Sequence, residues 1–188
     1  MTRIVHVFDP PTRFVAGTVG MPGQRTFFLQ ASDERRLISV VLEKEQLRLL
    51  AERCEAMLDD LLRRGVPGVP ALAPGDLDLE PLTTPITEDF RVGAMGLAWN
   101  PERSIVTIEA QALSEDEEAS SPDVESDDDE GPECLRVRMS PRMARAFTAR
   151  AERLIAAGRQ PCPLCQYPVD PAGHICPRAN GYKRFSQL

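Results

Sequence analysis

Two stretches of this chain follow one pattern. Phe14-x-x-Gly17-x-x-Gly20 and Phe90-x-x-Gly93-x-x-Gly96 each open a strand, then a turn, an arginine, a strand, a second turn, a strand and an amphipathic helix. A chain that twice runs from period-two strands into a helix of period near 3.6 is directed to an α+β architecture. The first copy has strands at Ile4 to Phe8, Arg13 to Val19, about Arg25 to Ala31 and Leu37 to Leu42. Its helix runs from about Lys44 to Arg64, with Leu47, Leu50, Ala51, Cys54, Met57, Leu58 and Leu61 on one stripe. Arg63 and Arg64 suit the negative end of the helix dipole, and Gly65 stops the helix. The second copy has strands at Phe90 to Ala98, Ser104 to Leu113 and Leu135 to Met139. Its helix opens with Ser140 as N-cap and Pro141 at the first helical position, and ends by Gly158. Met143, Ala144, Phe147, Ala151, Leu154 and Ile155 form its apolar face.

The expected organisation is a duplicated body with antiparallel sheets, each carrying one helix. Residues 1–65 form the first sheet–helix repeat and residues 89–159 the second. Between them, residues 66–88 carry Pro67, Pro70, Pro74, Pro81 and Pro85, a composition that excludes a central strand or helix interior. Where the first copy turns at Ser32-Asp33-Glu34, the second holds an acidic insertion, residues 114–131. Its low complexity and ten acids without a base predict disorder, and an insertion at a hairpin tip costs little closure entropy.

Charge is unevenly placed. The chain of 188 residues has a net charge of −7, but without the acidic insertion the rest carries +3. From Cys134 onward the charge is +8. Arg136 and Arg138 alternate on a strand, and Arg142, Arg145 and Arg153 stand at near-helical spacing on the last helix. Arg178, Lys183 and Arg184 follow in the tail. This set reads as a partner-binding face for nucleic acid or an acidic protein, which the acidic insertion would screen; the alternative is a solvated helix face. The longest uncharged apolar run, Val92 to Trp99, is too short to span a bilayer, and the N-terminus lacks the apolar stretch of a secretory signal. The expectation is a cytoplasmic protein with no membrane partner.

The strongest chemical motif is Cys162-Pro-Leu-Cys165, then eight residues, then His174-Ile-Cys176. Two thiols on a tight knuckle bite one metal, and His174 and Cys176, two apart, face one way on a strand. A Cys3His set suits tetrahedral zinc in a closed structural site, with no position left for water or substrate. Pro161, Pro163, Pro168, Pro171 and Pro177 punctuate this segment, and a tail of roughly 30 residues cannot bury a core of its own. Residues 160–188 are therefore expected to form a zinc ribbon folded by its metal. Cys-x-x-Cys also serves as a redox pair, but that motif belongs between a strand and a helix. Cys54 and Cys134 read as packed thiols rather than ligands or a disulfide.

No residue stands in a nucleophile motif. His6 alternates with Val5 and Val7 and reads as a sheet residue. Gly17-x-x-Gly20-Met-Pro-Gly23 lacks the Gly-Lys-Ser/Thr of a phosphate loop, so these glycines are expected at bulges or tight twists. The favoured function is a zinc-binding, non-enzymatic interaction module. The competing one is an enzyme or small-ligand-binding protein with a dispersed site between the repeats.

From the knuckle through His174-Ile-Cys176-Pro-Arg-Ala-Asn180-Gly181-Tyr182, and at the opening Ile4-Val-His-Val-Phe-Asp9-Pro, the chain resembles an actinobacterial family catalogued as a domain of unknown function, number 3090. Members typically carry Gly after the second knuckle cysteine, where this chain has Gln166. The resemblance implies no activity. The doubled strands-then-helix order is also similar in architecture to the Pur-alpha and Whirly single-strand-binding folds. Those stack bases on aromatic side chains, for which Phe27, Phe28, Phe90, Trp99 and Tyr182 are the candidates here.

Overall fold

The computed structural model describes residues 3–21, 23–114, 124, 131–158, 162–165, 169, 176 and 178. Its strands are β1 (Val5–Phe8), β2 (Arg13–Val19), β3 (Thr26–Ser32), β4 (Leu37–Leu42), β5 (Phe90–Asn100), β6 (Ile105–Ala112) and β7 (Cys134–Met139). Helix α1 is Lys44–Arg63 and helix α2 is Pro141–Ala156. The strands join in one seven-stranded sheet of order β1-β7-β6-β5-β4-β3-β2. None of the described helices is long and apolar enough to cross a membrane.

Connection length dictates the sheet's shape. Strands β1 and β2 are its two edges, and in a flat sheet six strand spacings would part them by about 28 Å. Only Asp9 to Thr12 join them, a link spanning at most about 18 Å. The sheet must therefore curl until its edges approach at this end. Arg36, from the β3–β4 turn, confirms the approach: its guanidinium lies over the Phe8 ring at 4.6 Å and donates to the Val7 carbonyl at 2.8 Å.

The concave face takes both helices. Alternate residues of the strands, such as Ala16, Leu29, Val40, Ile108 and Val137, meet Leu47, Leu50, Ala51, Cys54 and Leu58 of α1 and Ala144, Phe147 and Ala151 of α2 in one core. Helix α1 closes with the Gly65 and Val66 N–H groups donating to Leu62 and Leu61 carbonyls, and Gly65 takes the positive φ of 73° that this closure requires. Ser140 caps α2, accepting from the Met143 N–H at 3.2 Å. Although α2 leaves from β7, it packs on β2, where the Phe147 and Phe14 rings stack at 4.7 Å.

The convex side of β2–β4 is covered by the proline-rich connector. Leu82 joins Val15, Phe28 and Val41 in a second small core, with Ile86 against it. The buried Gln30 amide ties the connector down, donating to the Thr83 carbonyl at 3.0 Å and accepting from the Thr83 N–H at 2.7 Å. That is a strand-like pairing made by a side chain. The connector then wraps the open edge of β2. Arg150 donates to the Ala16 carbonyl at 2.7 Å, to the Asp78 carbonyl and to the Glu80 carbonyl, shielding an edge that would otherwise pair with another chain. A Cβ on Gly17 would lie 2.4 Å from Leu82 Cγ. Gly17→Ala is thus expected to cost about 1–3 kcal/mol in chemical denaturation through overpacking. Leu82→Ala in the same chain should recover part of it; a neutral single variant would show that the connector does not hold this contact.

The α+β class and the element order stand as expected, but the sheet arrangement requires correction. The strands form one sheet rather than one per half, and it is mostly, not wholly, antiparallel: β1 pairs with β7 and β4 with β5 in parallel. Pro10 and Pro11 fix two backbone angles and remove two N–H groups between β1 and β2, which disfavours a tight hairpin, and β1 adds to the other end of the sheet beside β7. Of the acidic insertion, residues 115–123 and 125–130 lie outside the described residues, as does most of the tail read as a ribbon.

Candidate metal centre

Three cysteines converge after α2. The Sγ atoms of Cys162, Cys165 and Cys176 all lie within 4.8 Å of one another, and Cys162 and Cys176 are buried. The Cys162 to Cys176 separation is 3.8 Å. Two thiolates on one tetrahedral zinc, each about 2.3 Å from it, lie about 3.8 Å apart, whereas a disulfide holds its sulfurs at about 2.05 Å. The spacing thus suits a shared metal ion and not a covalent bond, and all five cysteines that the sequence contains are free thiols. The knuckle prepares the sulfur for this role. Backbone N–H groups of Cys165 and Leu164 point at the Cys162 sulfur and hold its thiol below the ordinary range. Pro163 at the knuckle's second position fixes φ near −65° and preorganises that turn. Arg178 donates to the Leu164 carbonyl at 3.1 Å, fastening the chain beyond Cys176 to the knuckle. His174, the fourth residue of the expected set, lies outside the described residues.

The expected arginine face is dispersed. Leu135, Val137 and Met139 point into the core with α2, so Arg136 and Arg138 emerge on the opposite side of the sheet from that helix. Arg136 is buried, paired at 2.5 Å with the wholly buried Glu109. Arg138 lies 3.5 Å from Asp9. On α2, Arg145 is only 2% exposed; it pairs with Glu55 at 2.6 Å and Asp59 at 2.8 Å on α1 and donates to the Pro70 carbonyl. The assignment of Arg136 and Arg145 to a partner-binding surface is corrected accordingly: both are internal clamps. Arg142 is exposed and paired with Asp76 at 3.0 Å, and Arg153 is exposed. Lys183 and Arg184 lie outside the described residues.

A family model described as "Protein of unknown function (DUF3090)" matches residues 6–176, from β1 through the last cysteine of the knuckle. The chain belongs to the DUF3090 family. The match spans the three-cysteine cluster together with the sheet from His6 onward. No curated protein matches the chain. No solved structure matches it either.

The other thiols of this DUF3090 protein are packed, as expected. Burial pushes Cys54 up to about 11, and burial together with the Glu109 charge does the same for Cys134. His6 sits half-buried on the edge strand β1, with Nε2 2.7 Å from Glu133 Oε1. Its acid partner is the residue before β7. The charged cluster of Arg3, Glu109 and Arg136 was missed by sequence reading. The signal available was Glu109 in mid-strand with Arg136 directly opposite in the β6–β7 register.

Proposed function

We propose that this DUF3090 protein is a non-enzymatic interaction module whose C-terminal knuckle is held by a structural zinc ion. Cys162, Cys165 and Cys176 supply three thiolates and His174 the fourth ligand, closing the coordination sphere. The observation that carries the reading is the 3.8 Å separation of the buried Cys162 and Cys176 sulfurs. Zinc bound by such a set contributes about 10–16 kcal/mol apparent in zinc-finger peptides, enough to order a tail without a core. Arg142, Arg153 and Arg178, continued by Lys183 and Arg184, then present positive charge to an acidic protein or nucleic acid. The doubled strand–strand–strand–helix order supports an internal duplication, in which β2–β3–β4–α1 corresponds to β5–β6–β7–α2.

Thiol counting tests the metal reading. With zinc bound, the native protein should show no thiol reacting rapidly with a disulfide reagent at pH 8. A thiol with a pKa of about 11 is ionised to only about one part in a thousand there, which silences Cys54 and Cys134. Chelation should release three fast thiols and one zinc per chain, and denaturation should expose all five. Zinc-free protein from a chelator-free purification, or a count unmoved by chelation, would sink the assignment. For the surface, Arg153→Glu with Arg178→Glu should weaken binding of a labelled single-stranded oligonucleotide or a polyglutamate peptide at least fivefold in low salt. Binding of neither probe by the native protein would end the interaction reading.

A further inference from the structure

A cavity of about 270 Å³ opens where the start of β2, the connector and the N-terminal half of α2 meet. It lies away from the cysteine knuckle and joins the two halves of the chain, one supplying Phe14 and Val15, the other Met143 and Phe147. Phe14, Met143 and Phe147 make an apolar floor in which the Phe14 and Phe147 rings stack, while the Val15 side chain turns to the opposite face of the strand. The rim is charged. Arg13, Arg142 and Arg150 face Asp76 and Asp78, and the Glu80 charge acts on Arg150 as well.

The two acids differ in availability. Asp78 is committed: Arg13 grips it with two hydrogen bonds, at 2.5 and 3.0 Å, and Arg150 reaches it at 3.2 Å. Among the described residues Asp76 meets Arg142 alone, and both side chains are well exposed, at 79% and 64%. An ion pair that open to water contributes little and is easily exchanged for another anion. Arg142 is also the second residue of α2, where the helix dipole favours negative charge.

We propose that this cavity is a binding site for a small amphipathic anion: an apolar body on Phe14, Met143 and Phe147, and a carboxylate, sulfonate or phosphate head taken by Arg142 in exchange for Asp76. The volume lies just below the usual range for small-molecule pockets, so the ligand is fragment-sized. The apolar floor excludes a bare inorganic anion as the preferred occupant. Arg142, held by a carboxylate that water already reaches, favours an anion over a neutral ligand.

Three probes separate these terms: 2-naphthoate, 2-naphthalenemethanol with the same body and no charge, and inorganic phosphate with charge and no body. The readout is the methyl resonance of Met143 among six methionines in the full-length, metal-loaded protein. Naphthoate should titrate the Met143 signal saturably. Naphthalenemethanol should bind at least tenfold more weakly, and phosphate should leave the signal in place. Arg142→Glu, an exposed change that spares the fold, should weaken naphthoate at least tenfold. Ala146→Phe, at a position lining the cavity, should abolish binding with the thermal midpoint essentially kept. Equal affinity for acid and alcohol, naphthoate binding indifferent to both substitutions, or shifts at the other methionines but not Met143 would each overturn the proposal.

Discussion

Glu109→Ala is expected to destabilise the protein by about 3–5 kcal/mol, read from urea denaturation, the cost typical of stripping one partner from a buried ion pair. Glu109 has no exposed surface. It accepts from Arg136 Nε across the β6–β7 ladder and lies 3.9 Å from Arg3 Nη2, a buried nitrogen without a hydrogen-bond partner of its own. One carboxylate thus serves two guanidiniums that are each only 4% exposed. Removing it takes a negative charge from beside two buried guanidiniums, so their desolvation is offset less. The double variant Glu109→Leu with Arg136→Leu should recover much of the loss, because it removes a charge of each sign together. A second readout follows from Cys134, whose Sγ lies 3.9 Å from Glu109 Oε2. The Glu109 charge helps to raise that thiol's pKa, so the alanine variant should shift it downward. A loss below about 1 kcal/mol with an unmoved thiol would show that the cluster is solvated.

Phe147→Ala should cost a comparable 3–5 kcal/mol, the range for truncating a buried aromatic side chain. Phe147 is 1% exposed and stacks on Phe14, itself 5% exposed. The contact joins α2 to β2, elements of different halves, and helps hold the sheet curled around its helices. Phe147→Leu should recover most of the loss by restoring volume. If alanine and leucine variants unfold at the same denaturant concentration as the native chain, α2 is not held on β2 in solution. Because Phe147 also floors the proposed ligand cavity, the alanine variant should bind naphthoate with altered affinity, and its stability must be measured beside its binding.

Local structure was written plainly in the chain. Strands β2 and β4 and the start of both helices fall where alternation and capping place them, and the Gly65 stop closes α1 as a glycine at that position should. These features depend on neighbours within a few residues, so the sequence carries them directly. The glycines were less legible: Gly17, expected at a bulge or tight twist, pairs in regular register with Phe28 and makes room for Leu82, while the bulge falls at Gly93. The cysteine knuckle was legible, since a two-residue spacing and a proline specify the turn. Arginine placement was not. A charged residue at alternate strand positions normally marks a solvated face, but Arg136 faces a buried acid whose position depends on the β6–β7 register. Arg145 reads as part of an exposed helix stripe until α1 brings Glu55 and Asp59 against it.

The sequence by itself determined the helices, the strands, the α+β class and the convergence of Cys162, Cys165 and Cys176, because each follows from local periodicity, capping and spacing. Only the tertiary structure decided that the strands join in one curled sheet and that the connector covers half of its convex side. It likewise decided which arginines are internal and where a cavity is left. Those outcomes rest on contacts between residues far apart in the chain, such as Gln30 with Thr83, Phe14 with Phe147 and Arg150 with Ala16. A long-range contact is set by whether apolar faces and buried polar groups can all be satisfied at once, and that condition belongs to the assembled fold rather than to any stretch of it.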